Sequence, residues 1–572
     1  MPIPRSLCTS TFQDLDLELV SGAWPADLDG ELVISAPEPS PDLPYCLFGF
    51  GALVRISLRP GSHGAPANRF ALRARVIDTP SKRLFDKAPE VFHAQSFGYT
   101  SPLGFPNQAN TAPLPWGDRL FATWDVGRPV EVDPETLTFL GEVGHRHDWG
   151  DPTFPMGGLL PFYFSSAHPI VDPERNVLFT VKLVMTPRFE LELRVICWDP
   201  SGTELRSWPI ANSVVAGSSH TLSQTRDWLI LADSGNFKSD PGEMAGGPRT
   251  VLIDESAPVY LIRKDHLLAT PPGTTFTPRF SRIAPTTGHF YGVWDDRDGI
   301  RVIFEHMDVM DLGFRLQPDD LDAYGNPIDP AKVGLYNMAR APNSLSEVHI
   351  DPQTGVATRT ALFREDWTYN LQLTAMDWST EGLTRPTMHH VVYQGWRPDA
   401  VSQRALQLYQ RAGRVTEVPD AETPGVLATF ERDGLRLHDS WTFHDTGDHL
   451  TSPIFAPRGA GTDPRRSRYA GTDPGGHDGF VVLPILSDDG FRVEVFDAAH
   501  VGRGPLAVLR APGRVTLPTL LHSAWMPSVG PAPEAERLRF ADELDDAQVD
   551  ALPEHLPDVV RLVAGELADA LG

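Results

Sequence analysis

Cysteine is scarce in this chain, with Cys8, Cys46 and Cys197 the only three in 572 residues. So few cannot make a disulfide framework, and no Cys-x-x-Cys pair is present to hold a metal. That usage fits a reducing, cytoplasmic setting. Long apolar runs are also missing. No stretch reaches the roughly 18 apolar residues of a membrane span, and Met1-Pro2-Ile3-Pro4-Arg5-Ser6-Leu7-Cys8 lacks the apolar core of a signal peptide. Peripheral membrane contact needs only a few exposed apolar side chains and stays compatible with the sequence. Positive charge is short: 49 Lys and Arg face 75 Asp and Glu, a net charge of −26 with no basic run. Phosphate binding needs clustered cations, so a nucleic-acid partner is excluded. With 41% apolar and 22% charged residues, the chain has the composition of a globular protein that buries a core.

What is abundant is punctuation. The chain carries 48 Gly and 54 Pro. Between them lie short runs rich in branched and aromatic residues: 119–125, 177–184, 191–198, 228–232, 259–262, 300–305, 390–393, 405–409, 480–486 and 491–496. Many short strands with frequent turns give an all-β fold: a sandwich, barrel or propeller. Asp-Pro turns follow strands at Asp133-Pro134, Asp172-Pro173, Asp199-Pro200 and Asp351-Pro352, with Asp497-Ala498 a degenerate fifth. Asp caps such turns and Pro presets φ for the next position. Strand, Asp-Pro turn, strand is the outer hairpin of a propeller blade, and the uneven spacing implies insertions between blades. Residues 1–530 read as this β domain. Residues 531–572 differ, with eleven Asp or Glu against three Arg, and Val560, Val563, Leu567 and Leu571 at helical spacing. They predict short amphipathic helices packed on the body or on a partner.

Four histidines carry the chemistry: His168 in Ser165-Ser166-Ala167-His168-Pro169, His220 in Ser218-Ser219-His220-Thr221, His289 in Gly288-His289-Phe290-Tyr291-Gly292-Val293-Trp294, and His522 in Leu520-Leu521-His522. Each sits at the edge of a strand-like stretch. Ligands scattered this widely suit a metal gathered from several blades, and neutral imidazole suits first-row metals, iron included. Most of the 19 histidines are plain core or surface side chains.

These contexts, taken in order, resemble the carotenoid cleavage oxygenases. That non-haem iron family also includes stilbene-cleaving oxygenases and a retinoid isomerase. The resemblance runs from about Gly22 to Trp525. It includes Gly22-Ala23-Trp24-Pro25-Ala26-Asp27-Leu28, the run Phe48-Gly49-Phe50-Gly51-Ala52-Leu53-Val54 (with Phe50 where the family usually has Asp), Asn110-Thr111, and the stretch from Arg119 through Asp133-Pro134. The resemblance implies a seven-bladed β-propeller with an Fe(II) on its axis, beneath a dome of helices and loops. It implies His168, His220, His289 and His522 as ligands; His306 is a neighbour that competes with His289 for its place.

Outer carboxylates that accept from the ligand imidazoles fix tautomer and basicity. Where the family has three glutamates, this chain resembles it with Asp125, Gln372 and Ser452. Three anions thus become one, which leaves open a working oxygenase with altered tuning, different chemistry, or lost activity. The implied activity is dioxygenase cleavage of a C=C bond in an apolar, conjugated, apocarotenoid-like substrate, with O2, to two carbonyl products. No protein acid or base is implied beyond the metal ligands. The rivals are a non-oxidative isomerase on the same scaffold and a non-catalytic binding propeller. Stilbene-cleaving relatives carry a phenol-binding Lys and Tyr; here those places fall on Trp124 and near Val76, against a 4-hydroxystilbene. Residues 156–164 are expected as a buried strand, with the wall of a substrate tunnel as the alternative.

Overall fold

In the computed structural model, residues 4–571 are described except 96–97, 155–157, 235–237, 239, 241, 243–246, 295–298, 366, 368, 370–372, 375–387, 445–446, 460–477 and 554. Gln372 therefore lies outside the described residues. The fold is a β-propeller. Five four-stranded antiparallel blades follow one another: 112–142, 170–215, 222–283, 287–363 and 373–442. The remaining long strands do not separate into two more blades by pairing. They run as one ten-stranded sheet, in which Leu15–Gly22 pairs with Ala507–Arg510 and Glu31–Pro37 pairs with Ser523–Met526. The chain's first and last strands thus zip together and close the ring.

Branched, apolar residues fill both faces of the central strands. Glu31–Pro37, Gly51–Ser57 and Gly479–Leu486 are buried at every position. Burial on both faces gives continuous apolar runs in place of alternation, because blades stack on blades. At the centre the neighbouring first strands are stitched by hydroxyls and amides. Thr221 Oγ1 donates to Gly288 O at 2.9 Å, Gln224 Nε2 to Val171 O at 2.7 Å, and Gly292 N to Ser223 Oγ at 2.7 Å. A Cβ on Gly292 would sit 2.1 Å from Gln224 O, so this approach requires glycine.

The Asp turns form at all five places. Asp133, Asp172, Asp199, Asp351 and Asp497 each accept a main-chain N–H two residues on. The turns at Asp133, Asp199 and Asp351 close outer hairpins as expected. Asp172 instead joins Ile170–Asp172 to Val177–Met185, the inner pair of its blade. One expected strand is wrong: 405–409 lies within a helix, Gln403–Arg411. Ser402 caps it by accepting from Ala405 N at 3.3 Å, and Ala405, Leu406 and Tyr409 bury one helical face. Long connections (307–343 and 396–415) pack with this helix as a single apolar layer.

The C-terminal segment forms helices Asp546–Asp550 and Leu556–Leu571. Val560, Val563 and Leu567 are buried in one cluster with Leu84, Phe92 and Val132 of the body. No helix among the described residues is long and apolar enough to cross a membrane.

Candidate metal centre

The propeller brings all four expected histidines to one point. His168, His220 and His522 each immediately precede or lie within two residues of an inner strand, and His289 lies inside Thr287–Gly292. Main-chain bonds set them side by side: His168 N donates to His220 O at 3.1 Å, and Leu222 N to His168 O at 3.1 Å. His522 is fixed through its carbonyl, which accepts from Ser35 N at 3.0 Å. One ring nitrogen from each of the four lies within 4.8 Å of the others, and all four rings are buried. His306, the competing neighbour, is elsewhere. Its Nε2 pairs with Ser346 Oγ at 2.6 Å and its Nδ1 with Pro285 O at 3.0 Å.

Two carboxylates orient two of the rings. Asp125, just past Arg119–Thr123, meets His220 Nδ1 at 2.9 and 3.0 Å. Glu305 meets His289 Nδ1 at 3.0 Å. The other oxygen of Glu305 accepts from Tyr291 OH at 3.1 Å and from the Thr374 hydroxyl. Sequence pattern alone does not mark Glu305 for this role, and with it two carboxylates, in place of the one expected, stand beside the histidines among the described residues. The signal that would have found it is the ladder itself: Glu305 is the cross-strand partner of His289. Thr374 stands two residues from Gln372 and supports Glu305. Ser452 lies next to the fourth ligand through the backbone, its carbonyl accepting from Ser523 Oγ at 2.8 Å.

This arrangement fits a cation. A carboxylate on Nδ1 demands the proton there, so Nε2 of His220 and of His289 each present a lone pair. Those two atoms are 3.3 Å apart. Two lone pairs facing at that distance repel unless a proton or a metal cation lies between them. Ligand nitrogens about 2.1 Å from a metal stand roughly 3.0 Å apart at right angles and 3.4 Å at tetrahedral angles. Burial, then the neighbouring imidazoles, pushes His168 and His522 well below the ordinary imidazole range, and burial also lowers His289 against the pull of Glu305. Neutral rings are ligands.

The site opens on a cavity of about 810 Å³, within the range of ligand pockets. Phe105, Trp124, Phe154, Phe162 and Phe164 form a mesh along its wall, with Phe105 stacked on Trp124 at 6.0 Å. Of segment 156–164, Phe162 and Phe164 line the cavity, and isolated bridges at Leu160, Phe162 and Phe164 take the place of a regular strand among its described residues; residues 156–157 lie outside the described set. Among the described residues, no Lys or Arg lines the cavity, and Val76 does not reach it.

Comparison with known proteins matches these features. The resveratrol cleavage oxygenase 1 of Chaetomium globosum is 22% identical, covering 89% of this chain and 85% of its own. That of Botryotinia fuckeliana is 28% identical over 226 residues, 38% of each chain. Among solved structures, cobalt-substituted Synechocystis apocarotenoid oxygenase superposes with a TM-score of 0.58 at 17% identity, covering 91% of this chain and 97% of that one, and so shares the fold. The sequence profile of the retinal pigment epithelial membrane protein family matches residues 6–527, and the chain belongs to that family, the carotenoid oxygenases.

Proposed function

We propose that this protein is an Fe(II)-dependent dioxygenase that cleaves a C=C bond of an apolar conjugated alkene to two carbonyl products. The observation that carries this reading is the pair of carboxylate-fixed imidazoles with Nε2 atoms 3.3 Å apart, at the end of an aromatic cavity. His168, His220, His289 and His522 are the proposed ligands. Bound Fe(II) supplies the binding and activation of dioxygen beside the alkene. The chain's residues do the rest. Asp125 and Glu305 hold the Nδ1 protons of His220 and His289, which keeps both rings aimed inward. The Phe105–Trp124–Phe162 mesh excludes water and accepts a flat conjugated chain. Taken as two merged blades, the ten-stranded sheet completes the proposed seven.

An apocarotenoid-like substrate is favoured by the aromatic wall, whose one carboxylate among the described lining residues, Asp125, is engaged with His220. A stilbene is the second reading, because two relatives are named for resveratrol cleavage. Trp124 in the place of the phenol-binding Lys speaks against it. The experiment is product analysis of the iron-loaded protein with apocarotenals and stilbenes under isotopically labelled dioxygen. Two labelled carbonyl fragments support cleavage. An unlabelled product of unchanged mass would replace it with isomerisation.

A further inference from the structure

The carboxylate that orients His289 is itself held from the next blade. Thr374, in Leu373–Thr374, donates its hydroxyl to Glu305 Oε1 across the seam between the fourth and fifth blades. One strand further into the fifth blade lies His389, in Met388–Tyr393, and its Nε2 stands 3.2 Å from the same hydroxyl. The His389 ring also meets the Tyr291 ring, with centroids 5.6 Å apart and planes at 65°. The Tyr291 OH donates to Glu305 Oε1 at 3.1 Å. His389 thus touches both donors that saturate this carboxylate oxygen. All four side chains are buried, and none lines the cavity.

The direction of each bond follows from the proton count. A threonine hydroxyl has one proton to donate, and a carboxylate can only accept. A bond to the charged carboxylate outranks one to a neutral ring, so the Thr374 proton goes to Glu305. The Thr374 oxygen can then only accept from His389, which must carry its proton on Nε2. Burial, then the Arg432 cation and His390, hold His389 well below the ordinary imidazole range, so the ring stays neutral with a single N–H. A hydroxyl that accepts a hydrogen bond is polarised into a better donor, and its rotation is fixed.

We infer that His389 is a positioning residue of the metal centre, acting from the neighbouring blade through Thr374 and Glu305 on the ring of His289. The inference rests on the reading of His289 as a metal ligand. Every bond in the chain runs one way: His389 Nε2–H to Thr374 Oγ1, the Thr374 hydroxyl to Glu305 Oε1, and His289 Nδ1–H to Glu305 Oε2. The last bond leaves Nε2 of His289 with its lone pair, as a ligand requires.

Two measurements on the full-length protein test this. The first is titration of the metal-free protein with Co(II), followed by visible absorption against a competing chelator. His389→Phe keeps a flat ring against Tyr291 but removes the donor. It should bind Co(II) about three- to tenfold more weakly, the effect of one ordinary hydrogen bond. His389→Gln restores an N–H donor and should recover most of the loss. In a Thr374→Val background the chain is already cut, and His389→Phe should cost less than about twofold more. The second measurement needs neither metal nor substitution. Long-range proton–nitrogen spectra of histidine-labelled, metal-free wild type, assigned through contacts with the Tyr291 ring, should show the Nε2–H tautomer at His389. An Nδ1–H tautomer, unchanged Co(II) affinity in His389→Phe, no recovery in His389→Gln, or an equal loss in the Thr374→Val background would each overturn the inference. Wild-type protein that binds no Co(II) would overturn the metal reading and this inference with it, and the wild-type titration alone tells that failure apart.

Discussion

The imidazole of His289 and the carboxylate of Glu305 are direct cross-strand partners in one hairpin of the fourth blade, joined Nδ1 to Oε2 at 3.0 Å. A ligand and its orienting anion thus come from adjacent strands, and their geometry is set by β-ladder register. Tyr291 and Thr374 saturate the second oxygen, so the carboxylate has no freedom to swing. Glu305→Ala should weaken Fe(II) binding by about 10–100-fold, the usual cost of losing such a partner. Glu305→Gln keeps an acceptor and should lose less. Competition against a chromogenic chelator measures both. Unchanged affinity in the alanine variant would mean that the ring is held by other groups.

The ligand assignment makes a sharper demand. Anaerobically prepared protein should hold about one Fe(II) per chain, as four imidazoles on one ion require. His220→Ala and His522→Ala should each abolish its retention. His306→Ala should retain it, because that ring is occupied with Ser346 and Pro285. Elemental analysis after gel filtration decides. Full iron in either of the first two variants would disprove the assignment.

The legible parts were those with a local signature. Asp turns announce themselves because Asp caps its own turn, and all five formed. The four histidines were readable from their ordered contexts. Two kinds of information were not local. The helix Gln403–Arg411 was hidden because Ala405-Leu406-Gln407-Leu408-Tyr409 is apolar enough for either period, and only the Ser402 cap and one-sided packing decide it. Glu305 was hidden because its role depends on which strand pairs with Thr287–Gly292, a register that lies in tertiary structure. The split of the last strands into blades is likewise a matter of pairing, and here the edges merge.

Asp233 gives a pH prediction. It accepts from Ala216 N at 2.7 Å and Gly217 N at 3.0 Å, and both residues line the cavity. Burial nonetheless raises its carboxyl from 3.8 to about 6, against those two bonds. A folded pKa above the unfolded one gives stability that is whole below pH 4 and lost as pH rises through 6. At 1.36 kcal/mol per unit this is on the order of 3 kcal/mol. Asn at this position does not titrate, so the stability difference between wild type and Asp233→Asn should fall by that amount from pH 4 to pH 7. Urea melts of both proteins at each pH cancel the contribution of all other carboxylates. A difference independent of pH would show that the Asp233 carboxyl is not shifted.

The acidic C-terminal segment should prove to be part of the folded core. Val560 and Val563 are fully buried and Leu567 is 3% exposed, against the helix Pro80–Lys87 and the first blade. Ion pairs flank the contact. Arg128 binds Glu543 at 2.7 Å with both groups buried, Arg537 binds Glu131 at 3.0 Å, and the exposed pair Lys87–Glu566 adds little. Burying each of three aliphatic side chains contributes roughly 1.5–3 kcal/mol. Their sum, about 4.5–9 kcal/mol, rivals the whole stability of an ordinary domain, about 5–15 kcal/mol. Deleting 531–572 should therefore leave protein that melts far earlier or fails to stay soluble. Leu567→Ala is the gentler probe. It should cost about 2–5 kcal/mol while leaving iron per folded chain unchanged, since none of these three residues lines the cavity. Thermal melts with parallel iron analysis separate the cases. Unchanged melting on full deletion would make the segment a free tail, and loss of iron from still-folded Leu567→Ala would place the segment in contact with the metal centre.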